Sequence, residues 1–230
     1  MAIEQQISSF GNLWLATKYK QELSDIIARI ISDRKESPIS NVVCLAIGGQ
    51  HDSPNHPSDV QQFVILLQIL TELGAANSSL LNNIVAQDPD MTFEWRAVFK
   101  NRGIKVVEDP DAFKLIGPNT LLVAPFMLED ILAERMKDHS GEVGMYFGNG
   151  KWLSKMSHRY LEYPDEAWWA PDVDRAVLCS MFDEKVCKHE DLPCHKSNSR
   201  TPIRDSKMKG LLLLDIWWRP TSQDFDSSRS

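Results

Sequence analysis

Short apolar runs alternate with amphipathic stretches between residues 40 and 150, and this alternation limits the fold more than any other feature of the chain. Each run is bounded by turn residues, as expected of a strand that is buried on both faces of a sheet. The runs are residues 41–47, 82–86, 104–107, 121–124 and 143–147. Because helical spacing separates most of them, the order predicts right-handed parallel crossovers. The predicted fold class is therefore α/β, with a Rossmann-like, doubly wound and mostly parallel sheet of five strands.

The amphipathic stretches predict helices before and between these strands. Residues 13–32 place apolar side chains three and four positions apart, which predicts one N-terminal helix. The later helices are expected at residues 59–73, 92–101 and 128–137. Of these, the helix at residues 92–101 is expected to bury Phe93, Ala97 and Val98.

The last third of the chain has little periodicity. We expect residues 151–218 to form an irregular C-terminal extension of the core at residues 40–150. Within this extension, the apolar segment 210–218 predicts a final strand that joins the sheet in the antiparallel direction. A single domain over residues 1–220 follows, and the polar tail at residues 221–230 is expected to be disordered.

Composition excludes several classes of protein. The chain has 230 residues, with 32 acidic and 25 basic side chains and a formal net charge of −7. An acidic chain lacks the basic footprint that non-specific nucleic-acid binding requires. We also expect no secretory signal, since residues 1–10 have no basic and no apolar region, and no membrane span, since no apolar segment approaches roughly 20 residues. With four cysteines in a chain of this size, we expect a cytoplasmic protein that is also found in the nucleus.

The loops that follow the predicted strands are the expected place for a ligand. Open parallel sheets bind ligands beyond the carboxyl ends of their strands, near the point where strand order reverses. The predicted ligand-binding residues in these loops are Gly48, Gly49, Asp88, Pro125, Gly148 and Asn149. Gly48 and Gly49 allow a close backbone approach, and Asp88 follows the second strand, where a carboxylate binds ribose hydroxyls in dinucleotide enzymes. The full G-x-G-x-x-G pattern is missing, and Gly pairs and Asp-Pro also occur in ordinary turns.

Cysteine and histidine gather near the C-terminal end of the chain. Cys187, His189, Cys194 and His195 are residue types that bind zinc, and a histidine or thiolate is also a haem ligand. Their spacing matches no paired zinc motif and no haem-attachment motif, so scattered side chains in a loop are the preferred interpretation. The sequence assigns no metal and no cofactor to the chain.

The order and spacing of several short motifs resemble one known family. The motifs are Val43-Cys44-Leu45-Ala46-Ile47-Gly48, Gln62 heading an apolar helix, Gln87-Asp88-Pro89 followed by Phe93, Gly103 before a strand, residues 121–125, and Phe147-Gly148-Asn149. Over residues 40–150 the chain resembles the Sensitivity-to-Red-Light-Reduced family and is similar in type to its fungal members. The resemblance implies a Rossmann-like domain and a regulatory role in light and circadian signalling, the cytoskeleton or haem metabolism. It implies no established catalytic activity.

The chain departs from the family pattern in one loop. Where the family would have Pro-His-Cys after the fourth strand, this sequence has Pro125-Phe126-Met127, so no histidine or cysteine ligand is carried over there. Our first hypothesis is a regulatory protein with a small-molecule ligand and protein partners. The alternatives are a nucleotide- or S-adenosylmethionine-dependent enzyme that uses the strand-end loops, and haem or metal binding through the C-terminal cysteines and histidines.

Overall fold

Helices and strands alternate through most of the computed structural model, which describes residues 3–48, 59–77, 83–125, 127–139, 142–163, 175–192 and 214–221. The helices in these ranges are Ile3–Leu15 (α1), Lys18–Asp33 (α2), Asp59–Ala76 (α3), Phe93–Asn101 (α4), Glu129–Met136 (α5), Gly150–Glu162 (α6) and Ala176–Met181 (α7). The strands are Asn41–Leu45 (β1), Ile84–Gln87 (β2), Lys105–Val106 (β3), Thr120–Ala124 (β4), Met145–Gly148 (β5), Lys188–Asp191 (β6) and Asp215–Trp218 (β7). Short 3-10 helices lie at Phe113–Leu115 and Lys137–His139.

The strands form one sheet in the order β3-β2-β1-β4-β5-β7-β6. Strands β1 to β5 pair in parallel, and β7 is antiparallel to both β5 and β6. The predicted α/β class and the antiparallel final strand are confirmed, but five strands is wrong, since the described residues form seven. The unpredicted strand is β6, whose sequence Lys-His-Glu-Asp has no apolar run because it lies at the edge of the sheet.

Helices cover both faces of the sheet. Side chains along each buried strand point alternately to the two faces, so each strand contributes to two cores. In β1, Val42 and Cys44 belong to the core that includes buried side chains of α1, α2, α3 and α4. Val43 and Leu45 belong to the opposite core, together with buried side chains of α5, α6 and α7. The crossover helices therefore change face where the strand order reverses, between β1 and β4.

The single N-terminal helix that we predicted at residues 13–32 is interrupted, since these residues contain the end of α1 and most of α2, and α1 begins earlier, at Ile3. The chain turns at Ala16 and Thr17, where the backbone of Thr17 is extended and its hydroxyl donates to the carbonyl oxygen of Trp14 at 2.8 Å. Polar residues such as Gln5 and Ser8 weaken the apolar pattern of α1, so the sequence does not show where this helix begins. Ile7, Phe10 and Trp14 nevertheless follow helical spacing and are buried.

The predicted inward face of α4 is wrong. Phe93 is 83% exposed and Ala97 is also exposed, whereas Val98 is buried as expected. Trp95, Val98 and Phe99 share one helical face because they are three and four residues apart. The Trp95 and Phe99 rings pack against Phe63 of α3 in edge-on contacts, with centroids 5.3 and 5.1 Å apart.

The C-terminal extension is more regular than we predicted. Its described parts contain α6, α7, β6 and β7, and both strands belong to the same sheet as the core. Residues 193–213 and 222–230 lie outside the described residues, so Cys194, His195 and the predicted tail beyond residue 221 have no structural description here. The prediction of a single domain over residues 1–220 stays a prediction.

Arg34, at the end of α2, forms hydrogen bonds with backbone segments that are distant in the sequence. Its buried guanidinium donates to the carbonyl oxygens of Gly144 at 3.2 Å, of Pro118 at 2.8 Å and of Ser37 at 2.8 Å. It also donates to the carbonyl oxygen of Arg219, which follows β7. Burial lowers the pKa of Arg34 to about 10, and these oxygens stabilise the charged group in place of water.

Candidate functional site

A cleft of about 750 Å³ lies at the carboxyl ends of the parallel strands. It extends from the ends of β1 and β2, through the segment after β3, to the loop after β4 and the start of α5. It therefore spans the position between β1 and β4 at which strand order reverses. Its size is within the range of ordinary small-molecule sites, and its position is the one at which open α/β sheets bind ligands.

Part of the lining of the cleft is apolar. This part is formed by Leu45, Phe113, Met127, Leu128 and Ile131. Leu45 is fully buried at the end of β1, whereas Leu128 and Ile131 are exposed at the mouth of the cleft. Exposed aliphatic side chains beside a concave surface offer contact area to a planar or apolar part of a ligand.

Ala46 lies in the cleft in a backbone conformation that side chains rarely adopt. Its φ is 55°, in the left-handed region, directly after the last residue of β1. A non-glycine residue in this region costs about 1–2 kcal/mol relative to a right-handed one. Such strain concentrates at ligand sites, where the surrounding structure holds the backbone in place.

Side-chain hydrogen bonds hold the end of β2 to the segment after β3. The buried side chain of Gln87 donates to Asp109 Oδ1 at 2.8 Å and accepts from the backbone nitrogen of Ala112 at 2.9 Å. Next to it, Asp88 Oδ1 accepts from the backbone nitrogen of Asp90 at 2.9 Å, as in an Asx turn. The Asp88 carboxylate is thereby fixed at the wall of the cleft.

The polar lining of the cleft is mostly acidic. The carboxylates are Asp88, Asp90, Asp109, Asp130 and Glu134. The one cationic side chain among the described lining residues is Arg135, which pairs with Asp109 Oδ2 at 3.1 Å and lies over the Phe113 ring at 5.3 Å. The lining therefore has an excess of negative charge.

Gly48 has a structural role beside the cleft. Its φ is 99°, and a Cβ at this position would lie 2.8 Å from Trp95 Cβ and Cγ, so only glycine fits without a shift. Its backbone nitrogen donates to Asp59 Oδ2 at 3.0 Å, and its carbonyl oxygen accepts from the backbone nitrogen of Thr92. Gly49, predicted beside it, lies outside the described residues.

Of the predicted ligand-binding residues, the structure brings only Asp88 to the cleft among those it describes. Pro125, Gly148 and Asn149 are buried beyond the cleft, at the ends of β4 and β5. The Tyr146 hydroxyl donates to the carbonyl oxygen of Ala124 at 3.0 Å and lies 3.3 Å from Asn149 Oδ1. The role of these residues in ligand binding stays a prediction.

A buried carboxylate lies at the start of α6. Asp215 in β7 accepts hydrogen bonds from the backbone nitrogens of Gly150 at 2.9 Å and Lys151 at 2.8 Å. Burial raises the pKa of Asp215 to about 7, against the opposing effect of these two donors. Burial and the nearby Asp215 charge also raise the pKa of Tyr146.

A buried ion pair joins α5 to the residue before α7. Arg175 Nε donates to Glu129 Oε1 at 2.9 Å, and the Ser157 hydroxyl donates to the same oxygen at 3.1 Å. The Arg175 guanidinium also lies over the Tyr160 ring at 5.1 Å. These contacts fix α5, whose other side borders the cleft.

The cysteines and histidines named as metal candidates are only partly described. Cys187 is buried, its Sγ donates to the carbonyl oxygen of Met181, and burial raises the pKa of its thiol. His189 stacks on the Trp217 ring at 4.4 Å, and burial lowers its pKa. Within the described ranges, no group of three or more histidine, cysteine or acidic side chains is arranged to bind a metal.

Sequence reasoning missed most of the cleft. Asp109 and the α5 residues Ile131 and Arg135 belong to none of the motifs, and Ala46 was named only as part of the family motif around β1, with no role in ligand binding. A signal was available for α5. Leu128 and Ile131 are apolar residues at the start of a helix that follows a strand, and they lie outside the inward face formed by Leu132, Ala133 and Met136.

Comparisons with known proteins agree with the resemblance found in the sequence. The model of the SRR1 domain matches residues 15–191, which is most of the chain. No curated protein and no solved structure matches it. None of the described helices has the length and apolar character needed to cross a bilayer. The match extends from the end of α1 to the end of β6 and so includes every residue of the cleft, and on this basis the chain belongs to the SRR1 domain family.

Proposed function

We propose that this SRR1 domain protein is a regulatory protein that binds a small molecule in the cleft at the carboxyl edge of its sheet. The observation that carries the proposal is the position of the cleft, which spans the reversal of strand order between β1 and β4. In a Rossmann-like fold the strand order 3-2-1-4-5 creates a crevice at this point, and ligands bind there. We extend that fold assignment to this chain on its order β3-β2-β1-β4-β5.

The lining of the cleft supports binding of a ligand with both a polar and an apolar part. The apolar side chains of Phe113, Met127 and Ile131 lie in the same cleft as the carboxylates of Asp88 and Asp130. Small-molecule sites have this composition, in which apolar side chains supply contact area and a few polar groups fix orientation. The buried Gln87 bridge and the Glu129–Arg175 pair hold the two sides of the cleft in place before a ligand arrives.

The regulatory part of the proposal rests on membership of the SRR1 domain family. A regulatory protein of this kind changes its interactions when the ligand occupies the cleft, and we place it in the cytoplasm and nucleus. Protein partners then recognise the surface around the mouth of the cleft, where Leu128 and Ile131 are exposed.

A thermal-shift experiment with a protein-free small-molecule extract of cells tests the binding. A ligand at about 100 times its Kd adds about 2.7 kcal/mol of apparent stability, or about 5 °C or more in Tm for a chain of this length. The variant Ile131→Trp fills the mouth of the cleft at a position that is 44% exposed, so it should fold and lose the shift. The matched control is Leu161→Trp on α6, 52% exposed and outside the cleft, which should keep it. An equal shift in the two variants contradicts binding in the cleft.

A second candidate function is a nucleotide- or S-adenosylmethionine-dependent enzyme. The observation that favours it is Asp88, which follows β2 at the position from which a carboxylate binds ribose hydroxyls in dinucleotide enzymes. Incubation of the protein with the extract and each cosubstrate should then release a cosubstrate-derived product. Release that is unchanged in Asp88→Asn would argue against this function.

A further inference from the structure

We infer that the cleft selects a nucleoside that has no phosphate and has a positive charge, the chemical class of S-adenosylmethionine. This inference rests on the proposed function, because it names the ligand of the same cleft. Two independent features exclude phosphate from the positions where nucleotides usually place it, and a third provides for the sugar and base.

The first feature is the occupied anion position after β1. In dinucleotide-binding proteins, backbone nitrogens of the loop after the first strand and the start of the next helix bind the pyrophosphate. Here the Gly48 nitrogen donates to the carboxylate of Asp59, the first residue of α3, at 3.0 Å. The protein's own anion thus occupies the start of the helix, and a phosphate there would meet a negative charge.

The second feature is the charge of the cleft itself. Asp109 is paired with Arg135, and Glu134 is paired with Lys137 at 3.5 Å. Asp90 and Asp130 form no ion pair with any residue in the described ranges. An anionic ligand would add repulsion in a partly desolvated site, whereas a cationic ligand would neutralise these carboxylates.

The third feature is the pairing of Asp88 with an apolar wall. A carboxylate after β2 accepts hydrogen bonds from ribose hydroxyls, and the Asx turn to Asp90 holds Asp88 in place for this role. Leu128 and Ile131, which are exposed in the same cleft, offer apolar surface to a purine ring. A sugar and a base therefore have partners, whereas a phosphate has none among the described lining residues except Arg135, which is already paired.

Isothermal titration calorimetry with four probes tests the inference. The probes are S-adenosylmethionine, which is cationic, S-adenosylhomocysteine and adenosine, which have no net charge, and ATP, which is strongly anionic. We expect S-adenosylmethionine to bind about tenfold more tightly than S-adenosylhomocysteine, which corresponds to 1.4 kcal/mol, and ATP to give no measurable binding. Tighter binding of ATP than of S-adenosylmethionine overturns the inference.

Two variants, each of which removes one carboxylate charge, separate recognition of the sulfonium charge from recognition of the ribose. Asp130→Asn should weaken S-adenosylmethionine about tenfold and leave S-adenosylhomocysteine nearly unchanged, because only the first has a sulfonium charge. Asp88→Asn should weaken both, since each contains ribose. The matched control is Asp25→Asn, at an exposed position of α2 outside the cleft, which should bind as the unchanged protein does. Equal losses of both ligands in Asp130→Asn contradict the charge assignment.

The result with the cell extract distinguishes failure of this inference from failure of the proposed function. If none of the four probes binds but the extract raises Tm in an Ile131-dependent way, the ligand class is wrong and the cleft remains a binding site. If neither the probes nor the extract has an effect, both proposals fall.

Discussion

At the scale of single residues, Arg34 holds together parts of the chain that are distant in sequence. Its guanidinium reaches carbonyl oxygens before β4, before β5 and after β7, although it lies at the end of α2. The sequence does not indicate that Arg34 is buried, because an arginine after an amphipathic helix is normally a solvated charge. Only the meeting of these loops in the fold makes it a buried donor.

Replacing Arg34 by alanine should cost about 3 kcal/mol or more of unfolding free energy. The change leaves several buried carbonyl oxygens without their charged donor, and hydrogen bonds to charged groups are among the stronger ones. Urea denaturation measures the loss. Arg29→Ala is the matched control on the same helix, since Arg29 forms an exposed pair with Glu190 that contributes at most about 1 kcal/mol. Equal losses in the two variants would falsify the role of Arg34.

Asp215 should make the folded chain less stable as the pH rises from about 4 to about 7. Its pKa is raised to about 7 in the folded state, so between these values the folded chain binds more protons than the unfolded chain, and stability falls with pH. At about 1.4 kcal/mol for each pKa unit, the loss from this group is about 4 kcal/mol, fully developed above pH 7.

The variant Asp215→Asn isolates this effect. Asparagine keeps the size of the side chain but cannot ionise, so the fall in unfolding free energy between pH 5 and pH 8 should be smaller than in the unchanged protein. Urea denaturation of both proteins at the two pH values gives the comparison. If the unfolding free energy of the two proteins changes equally between pH 5 and pH 8, the prediction is wrong and the pKa of Asp215 is not raised by folding.

At the scale of elements, the sequence predicted the strands better than the faces of the helices. Strands β1, β4 and β5 are continuous apolar runs, and burial on both faces leaves little else that such runs can form. The face of α4 was wrong because Phe93 is apolar but lies at the first turn, outside the stripe of Trp95 and Phe99. Strand β6 was missed because an edge strand needs no apolar run.

Gly48→Ala should loosen the contact between the end of β1 and α4. A methyl group would lie 2.8 Å from Trp95, and the left-handed backbone adds strain, so we expect a loss of about 2 kcal/mol in urea denaturation. The reverse exchange nearby, Ala46→Gly, serves as the control. Because Ala46 already has a positive φ, glycine there should be neutral or slightly stabilising. The prediction is wrong if the two variants differ by less than about 0.5 kcal/mol.

At the scale of the whole molecule, one sheet unites the first and last thirds of the described chain. Strand β7 lies between β5 and β6, so the β6 edge strand pairs with the sheet only through β7. The sequence could predict a final strand within residues 210–218, which the structure describes as Asp215–Trp218, but not its place inside the sheet, because neighbours in a sheet are set by crossovers rather than by local pattern. The cleft was only partly predicted for the same reason, since Asp88 and Ile131 meet through the topology.

Truncation tests the place of β7. A chain that ends at residue 213 lacks β7 and exposes the apolar edge of β5, so we expect it to aggregate or to lose cooperative unfolding. A chain that ends at residue 221 keeps β7 and the Thr221 contacts to Asp33, and its Tm should match that of the full chain. Circular dichroism during heating measures both. A cooperative transition in the shorter chain at the Tm of the full chain would contradict an essential β7.

The position of β7 also bears on how the protein is made in the cell. Translation releases β1 to β5 and then β6 before residues 215–218 emerge from the ribosome, yet β6 has no neighbour in the sheet until they do. The edge of β5 therefore stays without its β7 neighbour until residues 215–218 have been synthesised. A growing chain in this state is a natural client for chaperones that shield unpaired strand edges.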